Sequence, residues 1–474
     1  MMNSAVRAAL SSFADSPALL SQDGQVISFA RMQSGVRALT DRLAALGIGP
    51  GDTVAPVVDN VALRVLLWFA VWRRGATLVL SERPAELEAA GQKVDHVVTM
   101  PGQVVKTAGR VHVLTQDWLE PGDAKTELPD LPDGQLIYGS SGSTGVPKYM
   151  QTGADSIAAS ANMLIAARPD LSLPALVTFP TVTHTALVSI LVCLFQGQGV
   201  CFPMGAVTET LKAARSFGAR AFGGPPQNLR DIVEVAEDGG EVPAFTSISY
   251  GGAIAERDLL HRTFKAYGAP VKVFAGTSEC GTFAMGAYAG QEVPDGWSGN
   301  ILPFVEYRLL QVDDEITDLP EGAGRLAVRV PENQRLIGYL GQGPIYDPDG
   351  WFETGDVVTI SGEGELCFVG RQDFLINLGG TKYAPERIEA FVNASPGVHT
   401  CAAVPVRQSG STGLALYVVA SEGFDAEVLK SRLQQENVPL EKTAIVIVDA
   451  LPELPSGKLD RATLQSLYAA RPST

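Results

Sequence analysis

The chain has 474 residues, 46% of them hydrophobic and 19% charged; this balance fits a folded globular protein and the length exceeds what one ordinary core holds, so two domains are expected. Its 52 acidic against 36 basic side chains leave a formal charge of −16, which argues against nucleic acid as a partner, because that binding is dominated by cationic contacts to phosphates. Cys193, Cys201, Cys280, Cys367 and Cys401 show no paired spacing of a disulfide framework or zinc site, the opening Met-Met-Asn-Ser-Ala-Val-Arg lacks a signal-peptide layout, and the longest apolar run, about Ala186 to Phe195, is far short of the roughly 20 residues that span a bilayer, so a cytoplasmic enzyme without a membrane span is expected.

Phe29, Met32, Val36, Leu39, Leu43 and Leu46 recur at alternating steps of three and four, which predicts an amphipathic helix. Ser28 is placed to cap its start and Gly47 to end it. Short β-type runs follow at Asp52 to Val58 and Ala76 to Leu80, with a helical stretch from Val61 to Trp72 between them. This alternation favours an α/β fold. Arg220 to Gly224, Ser247 to Tyr250 and Val271 to Ala275 read as buried strands ending in glycine or polar residues, and ligands of open α/β sheets sit beyond such ends. Arg325 to Val330 and Leu366 to Gly370 read as strands of a small antiparallel, β-barrel-like section. The pattern changes after Gly370: a helix over Pro385 to Val392, strands over Thr400 to Val404 and Leu414 to Val419, and a helix near Ala426 to Glu436 predict a small α+β unit of about 100 residues.

The most informative stretch is Tyr138-Gly-Ser140-Ser141-Gly142-Ser143-Thr144-Gly145-Val-Pro-Lys148, behind the apolar pair Leu136-Ile137. Glycines allow the backbone to approach closely, successive N–H groups can line a concavity for an anion, and the hydroxyls and Lys148 add donors and charge. Polyphosphate is the natural ligand. The spacing is not that of a Walker A loop, which places Gly-Lys-Ser/Thr after four intervening residues.

Ala275-Gly276-Thr277-Ser-Glu279-Cys280-Gly offers a hydroxyl and a carboxylate at a strand end, although a capped turn before a helix has the same pattern. A hard cation with oxygen ligands suits Glu279. Tyr250-Gly251-Gly252-Ala253 lets backbone approach a flat ring, and a tight turn explains it nearly as well. Trp351-Phe-Glu-Thr-Gly-Asp356 carries an acid suited to ribose hydroxyls, as in other nucleotide sites. Leu454-Pro-Ser-Gly-Lys458 places a lysine on an exposed-looking loop.

In this order the motifs resemble those of the adenylate-forming superfamily: acyl- and aryl-CoA synthetases, adenylation domains of peptide synthetases and luciferases. The resemblance covers essentially the whole chain. It implies ATP-dependent activation of a carboxylic acid to an acyl-AMP with release of pyrophosphate, then transfer to a thiol, either coenzyme A or the phosphopantetheine arm of a separate carrier protein. It implies ATP and Mg²⁺ as the nucleotide and metal. Ser140 to Gly145 and Lys148 would cradle the phosphates, Thr277 would touch the α-phosphate, Glu279 would hold Mg²⁺, Gly251, Gly252 and Ala253 would meet adenine, and Asp356 with Arg371 would clamp the ribose. Lys458 would bridge carboxylate and α-phosphate. Residues 1–370 would form the adenylating core, 371–373 a hinge with Asp373 at its pivot, and 374–474 a small mobile domain whose Gly379-Gly380 face serves thiol transfer. Phe374 and Leu378 depart from the residues usual in relatives.

Phe179-Pro-Thr-Val-Thr-His184 resembles the region where acyl- and aryl-CoA ligases keep a histidine near the carboxylate. Amino-acid-activating domains usually place an aspartate here, and no acid lies between Phe179 and Gln196. A simple aryl or medium acyl acid is therefore favoured over an amino acid. Its pocket is expected from His184, Phe222, Gly223, Tyr250, Gly252, Gly276 and Cys280. An amino-acid-activating enzyme and a nucleotide-binding homologue without chemistry are the rival readings. Oligomeric state is open between monomer and homodimer.

Overall fold

The computed structural model describes residues 2–471 apart from 22, 121–131, 141–147, 168–172, 253, 312–321, 372–375, 379–380, 409–410 and 455–458. The predicted helix is present as Phe29–Ala45, with the Ser28 side chain accepting from the Arg31 N–H at 3.2 Å. Gly47 follows it with φ +77°, a conformation glycine adopts without penalty. The helix Val61–Arg73 is apolar on every side and buried over most of its length, as a helix packed between layers must be.

Two sheets build the body. In the first, Arg110–Val113, His96–Thr99, Thr53–Val57, Thr77–Leu80 and Gln135–Ser140 run parallel in that spatial order, and Lys148–Gly153 and Gly338–Tyr339 extend it antiparallel. The second has 13 strands among the described residues. Its parallel centre contains Val271–Thr277, Ser247–Gly251, Ala221–Gly224 and Ala175–Val177. Gly281–Tyr288, Trp297–Ile301, Glu365–Arg371, Phe352–Ile360, Gly324–Arg329 and Glu306–Leu310 continue it antiparallel. The expected antiparallel section is thus present as an extension of the large sheet. A hydrophobic core joins Leu78 and Leu136 of the first sheet to Ala175 and Val177 of the second through the helices Phe29–Ala45, Val61–Arg73, Ala154–Ala167 and His184–Phe195.

Beyond Arg371 the chain forms a separate lobe. A three-stranded sheet of Val398–Gln408, Ser411–Ala420 and Thr443–Val448 is covered on one face by Pro385–Asn393 and Ala426–Gln435, through Ile388, Val392, Leu429 and Leu433, and on the other by Arg461–Ala469, through Leu464. This is the α+β unit expected from the sequence. Asp373 and the pair Gly379 and Gly380 lie outside the described residues.

Candidate active site

Three strand ends and the hairpin strand opening at Lys148 converge on one cleft of about 1480 Å³, lined by body and lobe alike. Gly223, Gly251 and Gly252, Gly276, Thr277 and Glu279 line it from the parallel strand ends, Lys148 from the first sheet, and Asp356 and Arg371 from the antiparallel extension. Ser140 and Lys148 pair across the hairpin. The intervening residues Ser141, Gly142, Ser143, Thr144 and Gly145 lie outside the described residues, as do Ala253 and Lys458. Leu454 and Leu459, which flank Lys458 in sequence, both line the cleft.

The Thr277-to-Glu279 turn leads into the strand Gly281–Tyr288, not into a helix. Sheet register therefore fixes it: the Cys280 N–H donates to Thr277 Oγ1 at 3.2 Å. Two tyrosines hold Glu279. Tyr339 donates its hydroxyl to Glu279 Oε1 at 2.8 Å, and Tyr346 donates to the Glu279 carbonyl at 2.7 Å. Burial and the Glu279 carboxylate push the Tyr339 hydroxyl upward in pKa, so it stays a donor at neutral pH. The Lys148 ammonium lies 5.4 Å from the centre of the Tyr339 ring. Neither Tyr339 nor Tyr346 carries a motif that marks it in sequence.

Asp356 is only 7% exposed and sits opposite Arg371 in the antiparallel ladder. The guanidinium Nε is 3.6 Å from the Asp356 carboxylate, and Nη2 donates to the Thr354 carbonyl at 3.2 Å. The Asp356 N–H donates to Thr354 Oγ1 at 3.1 Å, and that hydroxyl donates to the Leu326 carbonyl at 3.0 Å. The acid is thereby fixed with its side chain on the cleft.

His184 opens the helix His184–Phe195, where Thr183 accepts from the Ala186 N–H at 3.2 Å and donates to the Pro180 carbonyl at 2.7 Å. Arg64, buried, anchors the preceding turn by donating to Thr181 Oγ1 at 2.6 Å and to the Val58 carbonyl at 2.8 Å. The imidazole stacks on Tyr138, centres 5.5 Å apart, and the Tyr138 hydroxyl donates to the Ser278 carbonyl at 2.7 Å. Burial lowers the His184 pKa to about 4, so a neutral ring faces the cleft at physiological pH.

Two expected pocket residues face elsewhere. Tyr250 is 0% exposed, packs in the core behind the sheet, and its oxygen accepts from the Glu256 N–H at 2.9 Å. Side chains alternate along a strand, so Ser249 and Gly251 line the cleft while Tyr250 points away. Cys280 is 1% exposed and packs with Phe283 and Leu302. His184, Gly223, Gly252 and Gly276 do line the cleft; Phe222 borders it but is only 2% exposed, in the core that also holds Tyr250.

One carboxylate fits a magnesium-binding role. Glu279 keeps an oxygen beyond the one bound by Tyr339, and no cluster of three His, Cys, Asp or Glu side chains exists among the described residues. A single protein carboxylate completed by phosphate oxygens and water is the usual arrangement for Mg²⁺ on a nucleotide.

A family model described as AMP-binding enzyme matches residues 6–340. Feruloyl-CoA synthase of Amycolatopsis sp is 28% identical over 470 residues, covering 92% of this chain and 93% of the relative. 4-Coumarate–CoA ligase of Pinus taeda is 26% identical over 512 residues, covering 97% and 93%. Among solved structures, the amide bond synthetase McbA from Marinactinospora thermotolerans superposes with a TM-score of 0.80 at 21% identity over 99% of this chain and 100% of that one. The anthranilate CoA ligase AuaEII in complex with anthranoyl-AMP gives 0.81 at 18% identity over 99% and 98%. No helix among the described residues is long and apolar enough to cross a membrane. The chain belongs to the AMP-binding enzyme family, within the adenylate-forming superfamily of AMP-forming ligases.

Proposed function

We propose that the protein is an acid–thiol ligase that converts a neutral aryl or medium-chain carboxylic acid to its acyl-AMP and passes the acyl group to a thiol. The observation that carries this reading is the meeting of Lys148, Glu279 and Asp356, from three distant parts of the chain, on one cleft that also holds His184. A carboxylate oxygen attacks the α-phosphorus of ATP, the α–β bridge breaks, and pyrophosphate departs. A thiolate then attacks the acyl carbonyl and AMP leaves.

Catalysis of phosphoryl transfer rests on positioning and charge. Mg²⁺ held by Glu279 would neutralise the departing pyrophosphate. Thr277 places a hydroxyl donor at the phosphate end. Asp356 and Arg371 orient the ribose, with Gly251 and Gly252 beside the adenine. Lys458 is assigned the bridging charge between carboxylate and phosphate, on a lobe of residues 374–474 that turns about Asp373. Gly379 and Gly380 are assigned to the thiol-transfer pose.

The acid end is described by its lining. Ser160 and Leu164, Val188, Ser189, Val192 and Cys193, together with Phe179, carry no charge. A pocket of apolar walls with few polar anchors selects a neutral tail. Against these walls an α-ammonium group would lose its hydration, and none of these lining residues is a carboxylate to replace it. The neutral His184 ring adds a flat wall against an aromatic or extended acyl group.

The test is ATP–pyrophosphate exchange with Mg²⁺ across aryl acids, fatty acids of graded length and free amino acids. Exchange restricted to neutral acids supports the reading. Exchange driven by amino acids selects the amino-acid-activating alternative, and no exchange with any acid selects the non-catalytic one. Coenzyme A and a holo carrier protein, each added to preformed acyl-AMP, identify the thiol.

A further inference from the structure

The helix Pro226–Glu237 turns a polar stripe toward the lobe. Gln227, Arg230, Asp231 and Glu234 stand at spacings of three and four, on one side of the helix. Arg230 is 6% exposed and forms an ion pair with Glu256, which precedes the next helix. Gln227 completes the cluster: its Oε1 accepts from Arg230 at 3.1 Å and its Nε2 donates to Asp231 at 3.0 Å. Such a layer would serve the body alone, yet two side chains of the lobe complete it. Asn393, closing the helix Pro385–Asn393, donates to Glu256 Oε1 at 3.1 Å. His399, opening the strand Val398–Gln408, places Nδ1 3.0 Å from Glu234 Oε1 and Nε2 3.0 Å from Gln227 Nε2.

We propose that Asn393 on Glu256 and His399 on Glu234 and Gln227 form a two-point polar latch that positions the lobe in the pose with Leu454 and Leu459 on the cleft. Both contacts join body to lobe, and both are made by half-buried polar side chains. Contacts of this kind break and re-form without exposing a core, unlike a large apolar interface, so they suit a lobe that must leave and return. The two points lie on separate lobe elements, one helix end and one strand start, and so fix orientation as well as distance. Arg230 is the rigid base: its ion pair aims Glu256 at Asn393, and its bond to Gln227 aims the amide at His399. These are positioning residues, since none touches the reacting atoms.

The inference rests on the proposed ligase reading for its kinetic consequence, but not for its conformational one. A dye pair placed at the exposed Lys212 and Glu436 reports the body-to-lobe distance in the full chain without any substrate. The double variant Asn393→Ala/His399→Ala is expected to move the distance distribution away from that of the wild type. His399→Gln, which keeps a donor for Glu234, is expected to restore most of it. With a substrate acid, the double variant is expected to slow pyrophosphate exchange about 10-fold more than transfer from supplied acyl-AMP to thiol. Circular dichroism confirms that the variants fold, and Glu256→Ala, which removes the acceptor of Asn393, provides a second break of the same point if one does not. An unchanged distance distribution in folded variants overturns the latch. Absence of pyrophosphate exchange in the wild type would overturn the ligase reading while the distance measurement still decides the latch.

Discussion

The behaviour of single side chains follows from what surrounds each carboxylate. Asp356 is held by Thr354 and faced by Arg371, so its oxygens are aimed before any nucleotide arrives. Asp356→Asn keeps the shape and removes the charge. Hydrogen bonds to charged groups are worth about 1.5–3 kcal/mol, so KM for ATP should rise on the order of 10- to 100-fold while the melting temperature stays within a few degrees. Steady-state kinetics with the acid saturating checks this. Glu386 presents the opposite case. Arg461 donates Nη2 to Glu389 Oε2 at 2.9 Å, but stands 3.8 Å from Glu386 Oε1, and Glu386 Oε2 is buried without a hydrogen-bond partner. Burial, only partly offset by Arg461, pushes the Glu386 pKa up to about 7. The folded state thus prefers protonated Glu386. Its stabilising contribution is complete below the ordinary carboxylate value and is lost as pH rises toward about 7. Glu386→Gln should therefore raise the midpoint of the lobe's urea transition at pH 8 by the equivalent of on the order of 1–3 kcal/mol and leave it unchanged at pH 4.

At the scale of elements, the site depends on how the strand Val271–Thr277 turns into Gly281–Tyr288. The register shifts between Ala275 and Gly276, and a Cβ on Gly276 would lie 2.4 Å from the Gly281 carbonyl oxygen and 2.9 Å from Thr282 Cα. Both are backbone atoms and neither can move alone. Gly276→Ala should shift the turn bearing Thr277 and Glu279 and lower pyrophosphate exchange by about 100-fold, since small misplacements of positioning groups cost that much; a matching loss with Asp356 binding intact would show as normal affinity for AMP. Much of this element layout was legible. The spacing of Phe29 to Leu46 and the Ser28 cap fixed a helix that is present, and the glycines at the ends of Ala221–Gly224 and Ser247–Gly251 marked the cleft. Tyr250 stands in a run whose neighbours Ser249 and Gly251 line the cleft, and the two-residue alternation of a strand puts it on the opposite face. Tyr339 and Tyr346 were not legible at all. They reach Glu279 from 60 and 67 residues away, and nothing local in sequence records a contact made by tertiary folding. Arg64 was hidden in the same way inside an apolar helix.

For the whole molecule, the cleft belongs to both body and lobe, so filling it should stabilise the two together. The body carries the large core shared by its two sheets, whereas the lobe holds smaller clusters around Val392 and Leu433 on one face of its sheet and Tyr417 on the other. Among the described residues the lobe meets the body through the polar contacts from Asn393 and His399 and through the helix Pro385–Asn393 beside the strand Glu365–Arg371, with no core cluster shared between them. It should therefore unfold or detach at lower denaturant than the body, giving two transitions in urea. On the proposed reading, a non-hydrolysable acyl-AMP analogue would contact Asp356 and Arg371, the Thr277 turn and the acid end at once. At 100 times its Kd it should add about 2.7 kcal/mol to the native state by mass action, and because lobe residues line the same cleft the two transitions should draw together. Either ATP or acid alone leaves part of the cleft open and should merge them less. Asp356→Asn should weaken the merging in proportion to its loss of nucleotide affinity. Fluorescence-monitored urea titrations of both proteins, with and without analogue, decide the matter: an analogue that raises the body transition while leaving the lobe transition in place would show that the lobe plays no part in enclosing the adenylate.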